Sequence, residues 1–166
     1  VPDFLTGQRL TADLLNDNIA DLAVAFIGSE SLTSDSSTWV GTESGAVHSI
    51  TVPVIEGRTY RIDLTARIST DAQTFPITAA NSEIAIIRIR EDSSTGTQLC
   101  EDQVLVTHAT GNGHKITTFA HYIADATEDK TFVMTGQRNG TGSSGNQRVR
   151  AATTKPTIFD VFQLAA

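Results

Sequence analysis

The chain has a single cysteine, Cys100, in 166 residues. Without a second thiol no intramolecular disulfide forms, which excludes a small domain stapled by bridges. Cys100 reads as a buried or half-buried strand residue, since nothing in its neighbourhood resembles an activating environment. Basic residues are also scarce: 12 Lys and Arg stand against 19 Asp and Glu, a formal charge of −7. Nucleic-acid binding needs a basic stripe, so nucleic acid is not expected as a partner; the acidic balance suits a soluble, self-repelling surface. No stretch approaches the roughly 18 continuous apolar residues of a membrane span, so no membrane insertion is expected. The apolar run over 19–27 is broken by Asp21 and lacks a basic flank, so no signal peptide is read and an intracellular product is expected. Aromatics are few, with one Trp, two Tyr and seven Phe.

Helical periodicity is almost absent too. One segment carries it. Thr11 is a suitable N-cap, with Asp13 in the first turn at the positive helix end. Leu15, Ile19, Leu22 and Phe26 follow at steps of four, three and four, a helix stripe that also fits a heptad seam. A helix of about four turns is predicted over Thr11–Phe26, stopping at Gly28. An isolated helix of this length is marginal in water, so its apolar face must pack on something. The partner is either the rest of the chain or other copies of it.

After Gly28 the sequence turns to strands. Residues 29–38 read as a Ser/Thr-rich linker merging into a first strand near Thr38–Val40. Val47–Val54 alternates, with Pro53 placing it at a sheet edge or ending its pairing early. Tyr60–Ile68 alternates cleanly, with Tyr60, Ile62, Leu64, Ala66 and Ile68 opposite Arg61, Asp63, Thr65 and Arg67. Glu83–Glu91 reads as a strand buried on both faces in its first half, and Gln98–Thr107 as another. Lys115–Ala124 alternates through Ile116, Phe119, Tyr122 and Ile123 with a phase slip that suggests a bulge. Lys130–Arg138, Arg148–Thr153 and Thr157–Leu164 complete eight or nine strands, the last two parted by Pro156. The expected fold is mainly β: an antiparallel β-sandwich, jelly-roll-like, preceded by one N-terminal α-helix. The expected division is an attachment or oligomerisation segment over 1–28 and a β-sandwich domain over 29–166.

The chemical motifs are weak. Gly140-Thr141-Gly142-Ser143-Ser144-Gly145 matches the dinucleotide fingerprint letter for letter, but a strand-like Gln147–Arg150 follows where a helix must start. It reads as a hairpin loop. His48, His108, His114 and His121 lack the close spacing and the cysteine or carboxylate support of a zinc site. Glu83, Glu91, Asp92, Glu101 and Asp102 are the candidate carboxylates of a hydrolase, which needs two of them across a cleft; no nucleophile elbow is present. Arg138, Arg148 and Arg150 form a small basic cluster. No catalytic residue, metal ligand or cofactor is assigned, and the chain is expected not to be an enzyme.

The opening Leu5-Thr6-Gly7-Gln8-Arg9-Leu10-Thr11-Ala12-Asp13-Leu14-Leu15-Asn16 resembles the G-x-x-L-T-A-x-x-L-N start of virion proteins of tailed bacteriophages infecting actinobacteria, of the minor tail protein, tail fibre and head fibre type. Tyr60-Arg61-Ile62, Ile87–Leu99, Lys130–Arg138, Gly140-Thr141-Gly142 and the closing Thr157-Ile158-Phe159-Asp160-Val161 extend the resemblance over nearly the whole chain. It implies a non-enzymatic structural protein whose N-terminal segment attaches or trimerises while a β-sandwich projects outward. The expectation is a capsid- or tail-attached decoration or fibre-like module, made in the host cytoplasm and located in the virion. Its partners would be itself, as a homotrimer, and other virion proteins. Leu15, Ile19, Leu22 and Phe26 are the expected oligomer interface. The alternative is a receptor-binding module for a host cell-surface glycan, using loops over 70–82 or 139–146, with Trp39 as the best aromatic.

Overall fold

The computed structural model describes residues 24–39, 41–70, 83–106, 113–139 and 146–164. Nine strands form among them: β1 (Ala25–Leu32), β2 (His48–Val54), β3 (Thr59–Thr70), β4 (Glu83–Glu91), β5 (Gln98–Val106), β6 (His114–Ile123), β7 (Glu128–Asn139), β8 (Gln147–Val149) and β9 (Thr157–Gln163). They make two antiparallel sheets. Sheet I runs β1-β9-β3-β6, with β8 pairing the far end of β3; sheet II runs β2-β7-β4-β5.

The pairing is nested. β1 pairs β9, β2 pairs β7, β3 pairs β6 and β4 pairs β5, all antiparallel. The chain is thus one long hairpin with its tip at the β4–β5 turn. Successive pairs fall alternately in sheet I and sheet II, which rolls the hairpin into two layers.

Alternation on each strand then puts one face in water and one in the core. β3 sends Tyr60, Ile62, Leu64, Ala66 and Ile68 inward, all buried, and turns Arg61, Asp63, Thr65 and Arg67 outward. Sheet II answers with Ile50, Val52 and Val54 of β2, Ala85, Ile87 and Ile89 of β4, and Phe132 and Met134 of β7. Phe159 and Val161 of β9 fill the middle. Each large side chain so buried contributes about 1.5–3 kcal/mol of transfer free energy. Ile86 and Val133, on the opposite faces of their strands, are buried as well, so β4 is covered on both faces in its first half, as its sequence predicts. Pro53 lies on β2, an edge strand, where a missing N–H costs no ladder bond.

Two expectations are corrected. The helix predicted over Thr11–Phe26 lies outside the described residues up to residue 23, but Ala25 and Phe26 open β1 instead of ending a helix. The first strand is therefore Ala25–Leu32, within what reads as helix end and linker, whereas Trp39 makes only an isolated bridge to Gln147. The cause is tertiary. β1 is a mostly exposed edge strand with a bulge between Phe26 and Gly28, and its ladder partners on β9 lie more than 120 positions away in the chain. Second, β6 carries no bulge: it pairs β3 in unbroken register from Ile68↔His114 to Thr59↔Ile123.

Candidate functional site

The unbroken register of β6 decides what its outer face presents. Ile116, Thr118, Ala120 and Tyr122 point inward and are buried, so Phe119 and Ile123 stand in solvent at 53% and 68% exposure. Large apolar residues on an outward phase are what the sequence registers as a phase slip. Across sheet I the same row continues. Phe26, Phe162, Arg61 and His121 are successive partners on β1, β9, β3 and β6. Phe26, 60% exposed, meets Phe162 edge-on with centroids 5.7 Å apart. The Arg61 guanidinium lies 5.0 Å above the Phe119 ring, and Phe119 and His121 rings stand 5.5 Å apart. Arg61 is held over the ring by Asp63, at 2.6 Å from its Nε. Such a contact contributes about 0.5–1 kcal/mol at an exposed site. The outer face of sheet I therefore carries an aromatic and aliphatic patch with a cation at its centre, and Val24, also exposed, leads into it.

The outer face of sheet II differs. The loop before β2 folds over it, pinned where Ser44 N donates to Gly136 O at 2.8 Å and Gly136 N donates to Ser44 Oγ at 2.9 Å. This delivers Glu43 to the two arginines of β4. Arg90 donates to its carboxylate twice, from Nε at 2.7 Å and Nη2 at 2.8 Å, and Thr135 Oγ1 adds a short third bond. Arg88 spans Glu101 at 2.8 Å and Gln137 at 2.9 Å, with Glu43 at 3.4 Å. The Arg90 hydrogen bond holds the Glu43 carboxyl below the ordinary carboxylate value, outweighing the opposing effect of burial. Two open pockets of about 410 and 340 Å³ flank the loop, sharing Glu43, Ser44 and Gly45. The first reaches Trp39 and the second reaches Arg90, Ser94 and Thr95. Trp39 itself is 3% exposed, with its indole N–H donated to Gln147 Oε1 at 3.3 Å.

A third charged cluster closes one end of the sandwich. Lys130 Nζ sits 2.9 Å from Asp92 and 3.5 Å from both Glu91 and Glu128, and 5.4 Å from the Tyr122 ring centroid. Burial lowers its pKa, but the Asp92 hydrogen bond and the surrounding negative groups outweigh this and raise it overall. Asp92 reaches Lys130 from a left-handed backbone position, φ 59°, which aspartate tolerates better than most residues.

Of the expected interface residues, Leu15, Ile19 and Leu22 lie outside the described residues; Phe26 is described, on β1 rather than on a helix. The ring partner of Phe26, Phe162, and the further residues Arg61, Phe119 and Ile123 on the same outer face of sheet I are missed by helical reasoning. The signal that could have found them is strict two-residue alternation carried through 116–123. Among the candidate hydrolase carboxylates, Glu91 and Asp92 are engaged by Lys130 and Glu101 by Arg88, while Asp102 accepts from the Gln103 N–H. His48 lies at the sheet edge, its Nε2 3.2 Å from Glu30 O; burial first, against the Glu30 contacts, lowers its pKa. His108, the Gly140–Gly145 run and most of the loop over 70–82 lie outside the described residues. Among the described residues no group of three or more His, Cys, Asp or Glu could hold a metal ion, and no helix is long and apolar enough to cross a membrane.

No protein-family model and no curated protein matches the sequence. Among solved structures, the chain is similar to one of infectious bursal disease virus, Gx strain, at 12% identity and a TM-score of 0.38, over 84% of this chain and 38% of that one. A CBM4 structure is similar at 10% identity and a TM-score of 0.36, over 81% and 82%. The enzymatically active domain of bacteriophage CBA120 tailspike protein 4 follows at 12% identity and a TM-score of 0.23, over 78% and 19%. The chain thus spans well under half of the first and third of these, and none of the three is near enough to lend it a function.

Proposed function

We propose that this chain is a structural module of a virion, attached to capsid or tail, which assembles as an oligomer through its N-terminal segment. The nested strand pairing, rolled into β1-β9-β3-β6 over β2-β7-β4-β5, supports the jelly-roll reading of the fold. Jelly rolls serve capsid, lectin and other domains, so the winding does not choose between assembly and sugar binding, and the surfaces must. The observation that carries the choice is the exposure of Phe26, Phe119 and Ile123 together on the outer face of sheet I. An exposed apolar patch of this kind marks a contact with another macromolecule.

In this reading residues 1–23 form the attachment segment, with Leu15, Ile19 and Leu22 as one helical stripe and Phe26 as its continuation on the β body. Burial of that stripe between subunits supplies about 1.5–3 kcal/mol per side chain. A homotrimer in contact with other virion proteins is the assembly that the phage resemblance implies. Leu22→Asp should dissociate the oligomer and leave the β body folded, read by light scattering and circular dichroism. An L22D protein that scatters as the wild type does would overturn the assembly.

The glycan-binding alternative rests on the polar pockets beside Glu43. A sugar site wants an exposed ring for stacking, and Trp39 is buried in the core, which favours assembly over it. A glycan array with the full chain tests the alternative; no binding across host-surface sugars removes it.

A further inference from the structure

The aromatic patch on sheet I lacks a partner within the described chain, and the chain itself carries a suitable one. We infer that this face is the seat for residues 11–22 of a neighbouring copy, so that subunits are joined by exchange of N-terminal segments rather than by helix-to-helix contact alone. The inference rests on the assembly proposed above and names the surface that the segment meets.

Three observations support it. The first is where the segment enters. β1 begins at Ala25, and its second residue, Phe26, is already a member of the patch, so the segment before Val24 is tethered at the patch's own rim. The second is length. The patch crosses four strands, β1, β9, β3 and β6, a width of about 14 Å at ~4.8 Å per strand. Residues 11–22 as a helix measure about 18 Å, enough to lie across all four. The third is pattern. At about 100° per residue, Leu15, Ile19 and Leu22 occupy one side of the helix. Asp13, Asp17 and Asp21, each four apart, occupy the opposite side. The stripe can therefore meet Phe26, Phe162, Phe119 and Ile123 without burying any of the segment's own carboxylates, a burial that is costly when unpaired. A neighbouring copy is chosen because the assembly proposed above joins subunits through this segment, and the exposed Phe26, Phe119 and Ile123 give it a surface to meet.

The test uses the full chain with two separate lesions. Leu22→Asp damages the segment; the pair Phe119→Asp and Ile123→Asp damages the seat, at side chains that the body does not bury. Each protein is sedimented alone and as an equimolar mixture, with circular dichroism checking that each is folded. Segment exchange predicts that both are monomeric alone. It also predicts that the mixture associates, with an apparent dissociation constant at least roughly tenfold below that of either variant, because an intact segment then finds an intact seat. Seat variants that remain as oligomeric as the wild type, beside a monomeric L22D, overturn the seat and leave the assembly standing. An L22D protein that stays oligomeric while the seat variants dissociate removes the segment as occupant. Monomeric variants whose mixture does not associate overturn exchange between copies. A wild type that is monomeric at all concentrations overturns both this inference and the assembly.

Discussion

The six-membered edge of the Trp39 indole lies directly against the backbone of Gly136: a Cβ placed on that glycine would come within 2.6 Å of Trp39 Cε2 and 2.8 Å of Cδ2 and Cζ2. Trp39 thereby fills the end of the core between β7 and the bridge to Gln147. Gly136→Ala should destabilise the fold by about 1–3 kcal/mol through overpacking. Because Trp39 is the only tryptophan, its fluorescence reports both the lowered urea midpoint and any displacement of the ring. An alanine variant with unchanged midpoint and emission would contradict the contact.

Glu43 ties an otherwise irregular loop to Arg90 and Thr135. Its folded pKa is depressed from about 4.5, so its contribution to stability is fully present above about pH 4.5 and is lost as the pH falls through the lower folded value. Glu43→Gln should cost about 2 kcal/mol at pH 7. It should also flatten that part of the stability–pH curve, as measured by urea unfolding between pH 3 and 7. A variant whose curve parallels the wild type would place the acid sensitivity elsewhere.

Lys130 is a buried cation facing partly exposed carboxylates. Lys130→Met keeps the packing over Tyr122 but leaves Glu91, Asp92 and Glu128 to repel one another. The expected loss is about 1–2 kcal/mol at pH 7, less than for a fully buried pair because solvent screens the acids. It should shrink in high salt, which screens the repulsion among the carboxylates. Thermal unfolding at low and at high salt checks the difference, and equal losses at both would mean that packing, not charge, is what the lysine supplies.

Burial first, against hydrogen bonds from the Ile89 backbone and Thr118, raises the Cys100 thiol above its ordinary pKa. Its Sγ sits 3.9 Å from Thr118 Oγ1. A disulfide reagent at pH 8 should therefore react slowly with the native protein, and at the rate of a free thiol once urea unfolds it. Rapid reaction in the absence of urea would show that the β5–β6 edge opens.

Much of the body was legible in the residues themselves. Tyr60–Ile68 alternates because one face of β3 is core and the other is water, and the same physics marks Pro53 as an edge residue and Ile84–Ile89 as a strand covered on both sides. Local rules reach that far because they record which face of a strand is wet. They do not record partners. Ala25–Leu32 has no strand pattern of its own, and its ladder with β9 comes from the far end of the chain. Nothing in the sequence singles out Glu43 until the loop is laid over sheet II against Arg90. Phe26, Phe162, Arg61 and Phe119 become neighbours only through the registers of β1, β9, β3 and β6. The sequence by itself determined a β body with an apolar N-terminal stripe in search of a surface. Tertiary structure alone decided that an apolar surface exists on sheet I, because strand register is a long-range property that aligns side chains over a hundred residues apart.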